Sequence, residues 1–317
     1  MARNHTAELT GSARRSWKTE FKRDWVVYML FVPIIVYEIV LHYLPMFGIV
    51  MAFEDYNVAD GYFRSPWVGL KHFIDLFSGE DFLQAIRNTV VIGLLKSTIG
   101  FAAPIIFALM LSLINSKKFK RAAQTMSYLP NFVAAVIVCS LFTQFLAKDG
   151  PLTLFLTSVF GAENQNWFAN DQAPVFWIIY LLMGIWQGVG WGSIMYVAAI
   201  SQVSGDLHEA AALDGASRLQ RLFKITLPSI FPMIMMMFVI NIGTALAAGY
   251  DNILLLYMPS TYNVSDTVYT YTYRQAFGGG SSNYSLSAAS GLFQSLVSTI
   301  LLVVSNQLSR KTGSSLF

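Results

Sequence analysis

The chain is poor in the residues from which most enzymes assemble their chemistry. It has a single cysteine in 317 residues, Cys139, which lies inside an apolar run. No intrachain disulfide can form, no cysteine-based metal site is suggested, and Cys139 reads as a small core side chain. The four histidines, His5, His42, His72 and His208, are scattered, and no converging set of His, Asp and Glu marks a catalytic or metal centre. A phosphate-cradling glycine loop ending in lysine is also missing. Gly278, Gly279 and Gly280, followed by Ser281 and Ser282, sit in an external loop and not between a strand and a helix, so they read as a flexible turn. The chain offers neither a catalytic residue nor a cofactor site of its own. Charge is scarce as well, at 12% of residues, against about 25% in an ordinary soluble domain. Beyond the Gly-Ser stretch there is no low-complexity segment and no internal repeat.

Apolar residues fill the space, at 55% of the chain and a mean hydropathy of +0.50. Runs long enough to cross a bilayer, about 20 residues, fall at 26–53, 89–114, 126–146, 175–200, 233–257 and 286–308. The expected fold is therefore all-α and polytopic, with six transmembrane helices. A basic tail before an apolar run can mean a cleaved signal peptide, but this run is too long and has no small-residue cleavage site. It reads as an uncleaved first helix, with residues 1–24 as a cytoplasmic tail and 25–317 as the transmembrane domain. Lys and Arg concentrate in loops on the cytoplasmic side. Arg3, Arg14, Arg15, Lys18, Lys22 and Arg23, then Lys117, Lys118, Lys120 and Arg121, then Arg218, Arg221 and Lys224, then Arg310 and Lys311 fall on one side, against Arg64, Lys71, Lys148, Arg274 and, at a helix mouth, Arg87 on the other. The first side, which holds both termini, is expected to be the cytosol. The net charge of +3 follows from this topology and carries no nucleic-acid meaning.

The most informative segment is residues 209–232, polar, Ala-rich and Gly-broken between two apolar runs. Asp206 and Glu209 have capping-box spacing, so a short helix is expected to start near Asp206 and carry Ala210, Ala211 and Ala212. Gly215 supplies a turn, and Pro228 and Pro232 mark the return to an apolar helix. The order Glu209-Ala210-Ala211, then Asp214-Gly215-Ala216, then 223–228 as Phe-Lys-Ile-Thr-Leu-Pro resembles the cytoplasmic coupling loop of permease subunits in binding-protein-dependent ABC importers. Arg87-Asn88-Thr89, Phe119-Lys120-Arg121 with Ser127-Tyr128-Leu129-Pro130, and residues 269–275 are similar to oligosaccharide permeases of the maltose-type superfamily, in the branch that handles alginate- or pectin-derived sugars. The resemblance implies the type I importer fold in a bacterial inner membrane, with five core helices and one extra N-terminal helix. It implies a second homologous permease subunit, two ATP-binding subunits that hold ATP and Mg, an extracytoplasmic solute-binding protein and an oligosaccharide substrate. In the family the Glu-Ala-Ala helix enters a groove on the ATPase. Carried over, docking falls to Glu209, Ala210, Ala211, Asp214 and Gly215 in a coupling loop of about 204–228, with Leu207 and Leu213 as apolar contacts. Asp214 and Arg218 are also spaced for a local i to i+4 ion pair, a purely structural reading of both.

The substrate pathway is expected along the fourth and fifth spans. In residues 183–193 the glycines Gly184, Gly188, Gly190 and Gly192 lie among Trp186, Gln187 and Trp191, which should loosen the helix. Irregular backbone at membrane depth is tolerated only against protein or a wet cavity. Trp191 as a stacking platform and Gln187 as a hydrogen bonder suit a saccharide, and Gly184, Gly188 and Trp191 match the sugar-contacting segment of the resembled permeases. The competing reading is close packing through small residues, with Trp186 as an interface anchor. Asn241, Tyr250, Asp251 and Asn252 put further polar groups at membrane depth, where a bare charge costs about 2.5–3.5 kcal/mol or more. Glu38 and Lys96 reach similar depth at about 1.5 Å per residue and are expected to pair; alternatively, Lys96 lines the pathway and attracts an acidic sugar. The outside loops at 53–82 and 257–284, rich in aromatics, are the surfaces a binding protein would meet. An ion-coupled secondary transporter would share the apolar helices but would have no use for the Glu209 loop.

Overall fold

The computed structural model describes residues 17–169, 173–245, 250–278 and 282–310. Among these residues the chain is helical throughout, apart from irregular connections and one antiparallel bridge between Glu54 and Trp67. It divides into two compact units, Met1–Val50 and Met51–Phe317.

The first unit carries α1 (Trp17–Glu38), kinked at Asp24, and a π turn at Ile39–Tyr43. A 3-10 stretch, Leu44–Phe53, completes the run and continues into the second unit. The apolar length Arg23–Phe53 is sufficient to cross a membrane. Its polar interruption at Glu38 is met within the unit, where the carboxylate lies 3.2 Å from His42 Nδ1, one helical turn on.

In the second unit, α2 (Lys71–Ser78) precedes a long span built of α3 (Glu80–Leu95), a π turn at Lys96–Gly100 and α4 (Phe101–Leu113). The third apolar run is not the straight helix expected at 126–146. It consists of α5 (Lys117–Tyr128), a 3-10 turn at Leu129–Phe132 and α6 (Ala135–Phe145), and its two halves meet at 99°. Pro130 opens the turn, and Val133 and Ala134 take extended backbone (ψ 130° and 142°), which ends the helical ladder. Proline donates no hydrogen bond, so the chain breaks where it can turn at least cost. After α7 (Pro151–Phe160), the span α8 (Ala173–Ser201) leads to α9 (Gly205–Leu213). The next span is Arg218–Ile242, so the fifth run begins well before residue 233. It comprises α10 (Arg218–Arg221), a π turn at Leu222–Thr226 and α11 (Leu227–Ala245). The polar cluster at 250–252 sits on a separate short helix, α12 (Tyr250–Leu256), followed by α13 (Tyr262–Ser265), α14 (Val268–Phe277) and the last span, α15 (Tyr284–Arg310). Among the described residues five helices are long and apolar enough to span, and the bent pair α5–α6 makes up to six.

α8 forms the axis of this unit. Phe176, Tyr180 and Met183, spaced by about one turn, bury against Ile92 of α3, Val138 and Cys139 of α6, and Ile253 and Leu256 of α12. Cys139 is a buried core thiol, as its sequence context implies. The glycine-rich stretch does not loosen the helix, which runs unbroken through 183–193. Gly190 instead lets the α5 backbone come close: a Cβ there would lie 2.1 Å from the Ser127 carbonyl oxygen. Gly192 likewise faces Pro104 of α4, at 3.0 Å from the hypothetical Cβ. Small residues allow such helix–helix approach within a membrane.

Candidate functional site

Around the middle of α8 the helices leave a cavity of about 290 Å³. Its polar lining comes from five segments: Lys96 from the π turn of the second span, Asn131 from the break between α5 and α6, Gln187 from α8, Asn241 from α11 and Asn252 from α12. Two irregularities in the fold deliver Lys96 and Asn131. A π turn widens a helix by one residue and re-aims its side chains, and here it begins at Lys96 and ends at Gly100, both of which line the cavity. The break after Phe132 turns Asn131 inward and frees the Val133 carbonyl, which accepts a hydrogen bond from Gln187 Nε2 at 3.3 Å. That bond satisfies a carbonyl that the helical ladder would otherwise have used. Cys139 Sγ lies 3.7 Å from the Asn252 carbonyl oxygen and ties α6 to α12 beside the cavity.

Lys96 is the only charged side chain among the described lining residues. Its ammonium sits 5.8 Å from the centroid of the Tyr180 ring, within cation–π range. Gly184 and Gly188 line the same space, and a Cβ on either would meet nothing within 4 Å. The glycine stretch therefore splits: Gly184 and Gly188 shape the cavity, whereas Gly190 and Gly192 serve packing. Trp191 lies on the same helical stripe but about one turn beyond Gly188, outside the lining, where it meets Phe132 edge to face at 5.5 Å. Trp186 packs edge to face on Phe142, also at 5.5 Å. The side chains of Tyr250 and Asp251 fall outside the described residues. Of the expected Glu38–Lys96 pair, Glu38 is engaged with His42 and Lys96 with the Tyr180 ring. Asn131 and Tyr180 were not anticipated from the sequence. Their signals were present, as an amide directly after Pro130 and an aromatic one turn before Gly184.

The Glu209 loop is a rigid bent plug. Its helix does not begin with an Asp206–Glu209 capping box: Ser204 is the cap, and its Oγ accepts from the Asp206 amide at 3.2 Å. Serine serves as a cap because its short side chain reaches the free amides of the first turn. α9 ends at Leu213, and Gly215 takes φ +79°, with the Ala216 amide closing back on the Ala211 carbonyl at 2.9 Å. A left-handed residue here closes the helix end as glycine does best. Ser217 and Gln220 then form a reciprocal capping box that opens α10, and α10 passes directly into the π turn and α11. The loop is thus mechanically continuous with a span. The Asp214–Arg218 pair permitted by spacing does not form, because the helix stops between them. Arg218 instead faces Asn115, whose amide oxygen, turned toward it, accepts from the guanidinium at 3.1 and 3.3 Å. Glu209, Ala210, Asp214 and Gly215 are exposed and Ala211 is half-buried. Leu207 and Leu213 are 54% and 90% exposed.

At the opposite ends of the spans, two further family-like segments meet. The Asn88 amide donates to the carbonyls of Asn263 and Asp266, and Thr89 Oγ1 accepts from the Val268 amide at 2.8 Å. The buried Asp266 carboxylate accepts from the Thr270 hydroxyl and the Arg274 guanidinium. Burial raises the Asp266 carboxyl above its ordinary value, and those two bonds oppose the rise.

Residues 100–313 match the family described as binding-protein-dependent transport system inner membrane component. The chain belongs to that family. The permease is 38% identical over 287 residues, 90% of its own length and 88% of the relative's, to the polygalacturonan/rhamnogalacturonan transport system permease protein YteP of Bacillus subtilis (strain 168). To protein LplB of the same organism it is 36% identical over 304 residues, covering 96% of this chain and 94% of that one. The sn-glycerol-3-phosphate transport system permease protein UgpA of Escherichia coli O6:K15:H31 (strain 536 / UPEC) is 27% identical over 285 residues, 90% of this chain and 92% of its own. Among solved structures, a chain of a bacterial ABC transporter involved in the import of the acidic polysaccharide alginate superposes with a TM-score of 0.85 at 37% identity, covering 93% of this permease and 98% of that chain. A chain from the bacterial alginate ABC transporter in complex with an alginate pentasaccharide-bound periplasmic protein gives 0.85 at 35% identity, over 94% and 99%. The importer-permease fold and the family resemblance carried by the Glu209 loop are borne out. The chain is an integral inner-membrane transport component.

Proposed function

We propose that this permease forms half of the translocation pathway of an ATP-driven importer of acidic oligosaccharides. It pairs with a second homologous permease, receives substrate from an extracytoplasmic binding protein, and takes its drive from two ATPase subunits that hold the ATP and Mg. Both termini and the Glu209 loop face the cytosol. The loop docks in the ATPases through Glu209, Ala210, Ala211, Asp214 and Gly215, with Leu207 and Leu213 as apolar anchors. Because the loop is continuous with α11, closure of the ATPases rocks the span and switches the cavity between the two sides.

The observation that carries the substrate class is the cavity itself, with one cation among amides and no carboxylate in its described lining. A lysine at membrane depth costs several kcal/mol unless something offsets it, and a uronate carboxylate passing the cavity would do so. The amides of Asn131, Gln187, Asn241 and Asn252 suit sugar hydroxyls, and Gly184 and Gly188 leave room for a ring. Trp191, one turn further along the stripe, stacks on the sugar as it leaves. Relatives named for polygalacturonan, rhamnogalacturonan and alginate handle polymers rich in such acids, which supports the same reading. The test is uptake by proteoliposomes that contain the whole transporter, with oligogalacturonate compared against its carboxyl-reduced, neutral form. Loss of a charge-assisted contact, about 1.5–3 kcal/mol, makes Lys96→Met lower acidic-sugar uptake at limiting substrate by about 10- to 100-fold. Lys96→Arg retains most of it. Equal uptake of both sugars by wild type and Lys96→Met would remove the acidic-substrate reading.

A further inference from the structure

On the side of α9 that carries His208, the chain encloses a second polar cavity, of about 260 Å³, walled by the ends of α4 and α8 and by the start of the fifth span. Asn115, His208, Arg218 and Arg221 converge on it. They are held in place: Arg221 Nη1 donates to the His208 carbonyl at 3.2 Å, and Arg218 is braced by the Asn115 amide. Among the described residues neither arginine has an acidic partner, the ion pairs being Arg23–Asp24, Glu38–His42 and Asp266–Arg274. Arg221 Nε is buried with no acceptor. Arg218 and Arg221 also sit three residues apart on one turn, so their like charges share a face. Two neighbouring guanidinium groups without a counter-ion, one of them with a buried and unpaired Nε, fit an anion with several oxygens, and their planar fork suits phosphate.

The remaining wall identifies the source of that phosphate. Ile200 and Leu222 are apolar, and Leu222 belongs to the core shared by α4 and α11. The cavity lies where the apolar spans α4 and α8 end, which is headgroup depth in a bilayer. A free phosphate would use the arginines only, whereas a phospholipid uses both walls. We infer that this cavity holds the phosphate of an anionic phospholipid headgroup, which neutralises Arg218 and Arg221 and fastens the docking helix to the ends of α4 and α8. Basic pockets between helices at the cytoplasmic membrane edge recognise such headgroups. The inference rests on the reading above that the Glu209 loop lies on the cytoplasmic side and engages an ATPase.

The experiment uses the full chain with its co-purifying partners, in nanodiscs of phosphatidylcholine alone or doped with phosphatidylglycerol. Retained phosphatidylglycerol is counted by native mass spectrometry, and ATPase stimulation by loaded binding protein is measured on the same discs. The wild type is expected to keep about one phosphatidylglycerol per chain and to show several-fold higher stimulated ATPase in doped discs. R218Q/R221Q loses that retention by about 30-fold, as two cation contacts at a membrane surface imply, and K117Q/K118Q, outside the cavity, keeps it. Wild type that retains no phosphatidylglycerol overturns the inference without any variant, as does equal loss in K117Q/K118Q, which means general surface attraction. Stimulation restored in pure phosphatidylcholine by inorganic phosphate overturns the lipid source. Retention unchanged in R218Q/R221Q, with the arginines cross-linking to ATPase carboxylates, assigns the cavity to the partner and overturns it too. If no binding-protein-stimulated ATPase is seen in any disc, the importer reading fails; phosphatidylglycerol retention is scored separately.

Discussion

Replacing Gly190 by alanine would put a methyl carbon 2.1 Å from the Ser127 carbonyl oxygen, 2.3 Å from its carbon and 2.8 Å from the Tyr128 nitrogen. All three are backbone atoms at the end of α5, so no side-chain rotation relieves the clash. Favourable contact between heavy atoms needs about 3.5–4.0 Å, so α5 must move away from α8 by more than 1 Å. Overpacking of this kind costs about 1–3 kcal/mol, sometimes more, and alanine's better helix propensity returns only about 1 kcal/mol. With backbone as the obstacle the upper end applies, and a net loss of about 2 kcal/mol corresponds to about 3 °C in melting temperature for a chain of this size. The shift reaches function as well, because α5 leads into Asn131 and the Val133 carbonyl that holds Gln187. Gly184→Ala and Gly188→Ala are the controls, since a methyl there meets nothing within 4 Å. The assay is thermal unfolding of the detergent-solubilised protein followed by fluorescence-detected size exclusion, with uptake measured in parallel. Gly190→Ala is expected to melt several degrees lower and to transport poorly, while the two controls melt like wild type. A Gly190→Ala protein with wild-type stability and uptake would refute the close approach of α5 to α8.

Other outcomes follow from the same geometry. Gly215→Val forces a β-branched residue to φ +79°, a strain of about 1–3 kcal/mol; it should leave the spans folded but uncouple ATP hydrolysis from uptake, measured as the ratio of the two. Asp266→Asn leaves the Arg274 guanidinium half-buried without its carboxylate, and breaking a buried pair in this way costs about 3–5 kcal/mol, visible as loss of folded protein on size exclusion. Gly188→Leu should fill the cavity and abolish uptake without lowering the melting temperature. A Glu38/Lys96 charge swap should not rescue either single variant if Lys96 serves the pathway; rescue of assembly would make the two residues partners.

Hydropathy found the apolar segments because burying apolar surface in lipid needs only composition, but it set the fifth run at 233–257 where the span is Arg218–Ile242. It could not see the 99° bend between α5 and α6, since averaging over a window hides one Leu129-Pro130-Asn131 turn whose polar cost is met by contacts distant in sequence. That bend is what brings Asn131 and the Val133 carbonyl to the cavity. The glycine stretch was legible as unusual but not in its division of labour, because whether a glycine hydrogen faces a neighbouring backbone or empty space depends on the partner helix. The turn of the Glu209 loop was legible because it is local: Gly215 turns as expected. Only the caps were misassigned, with Ser204 and the Ser217–Gln220 box in place of Asp206 and Glu209. Arg218 was drawn to Asp214 by spacing, yet it turns to Asn115 because helix continuity, which the spacing rule requires, ends at Gly215.

The central claim is that this chain works only as the membrane half of an ATP-driven assembly entered through the Glu209 loop. Native mass spectrometry of the complex, extracted mildly from its host through a tag on this chain, tests it most directly. One related permease and two copies of an ATPase are expected, with the ATPases lost selectively when Leu207 and Leu213 are both replaced by aspartate. This chain alone or as a simple homo-oligomer, with transport driven by an ion gradient, would contradict the account.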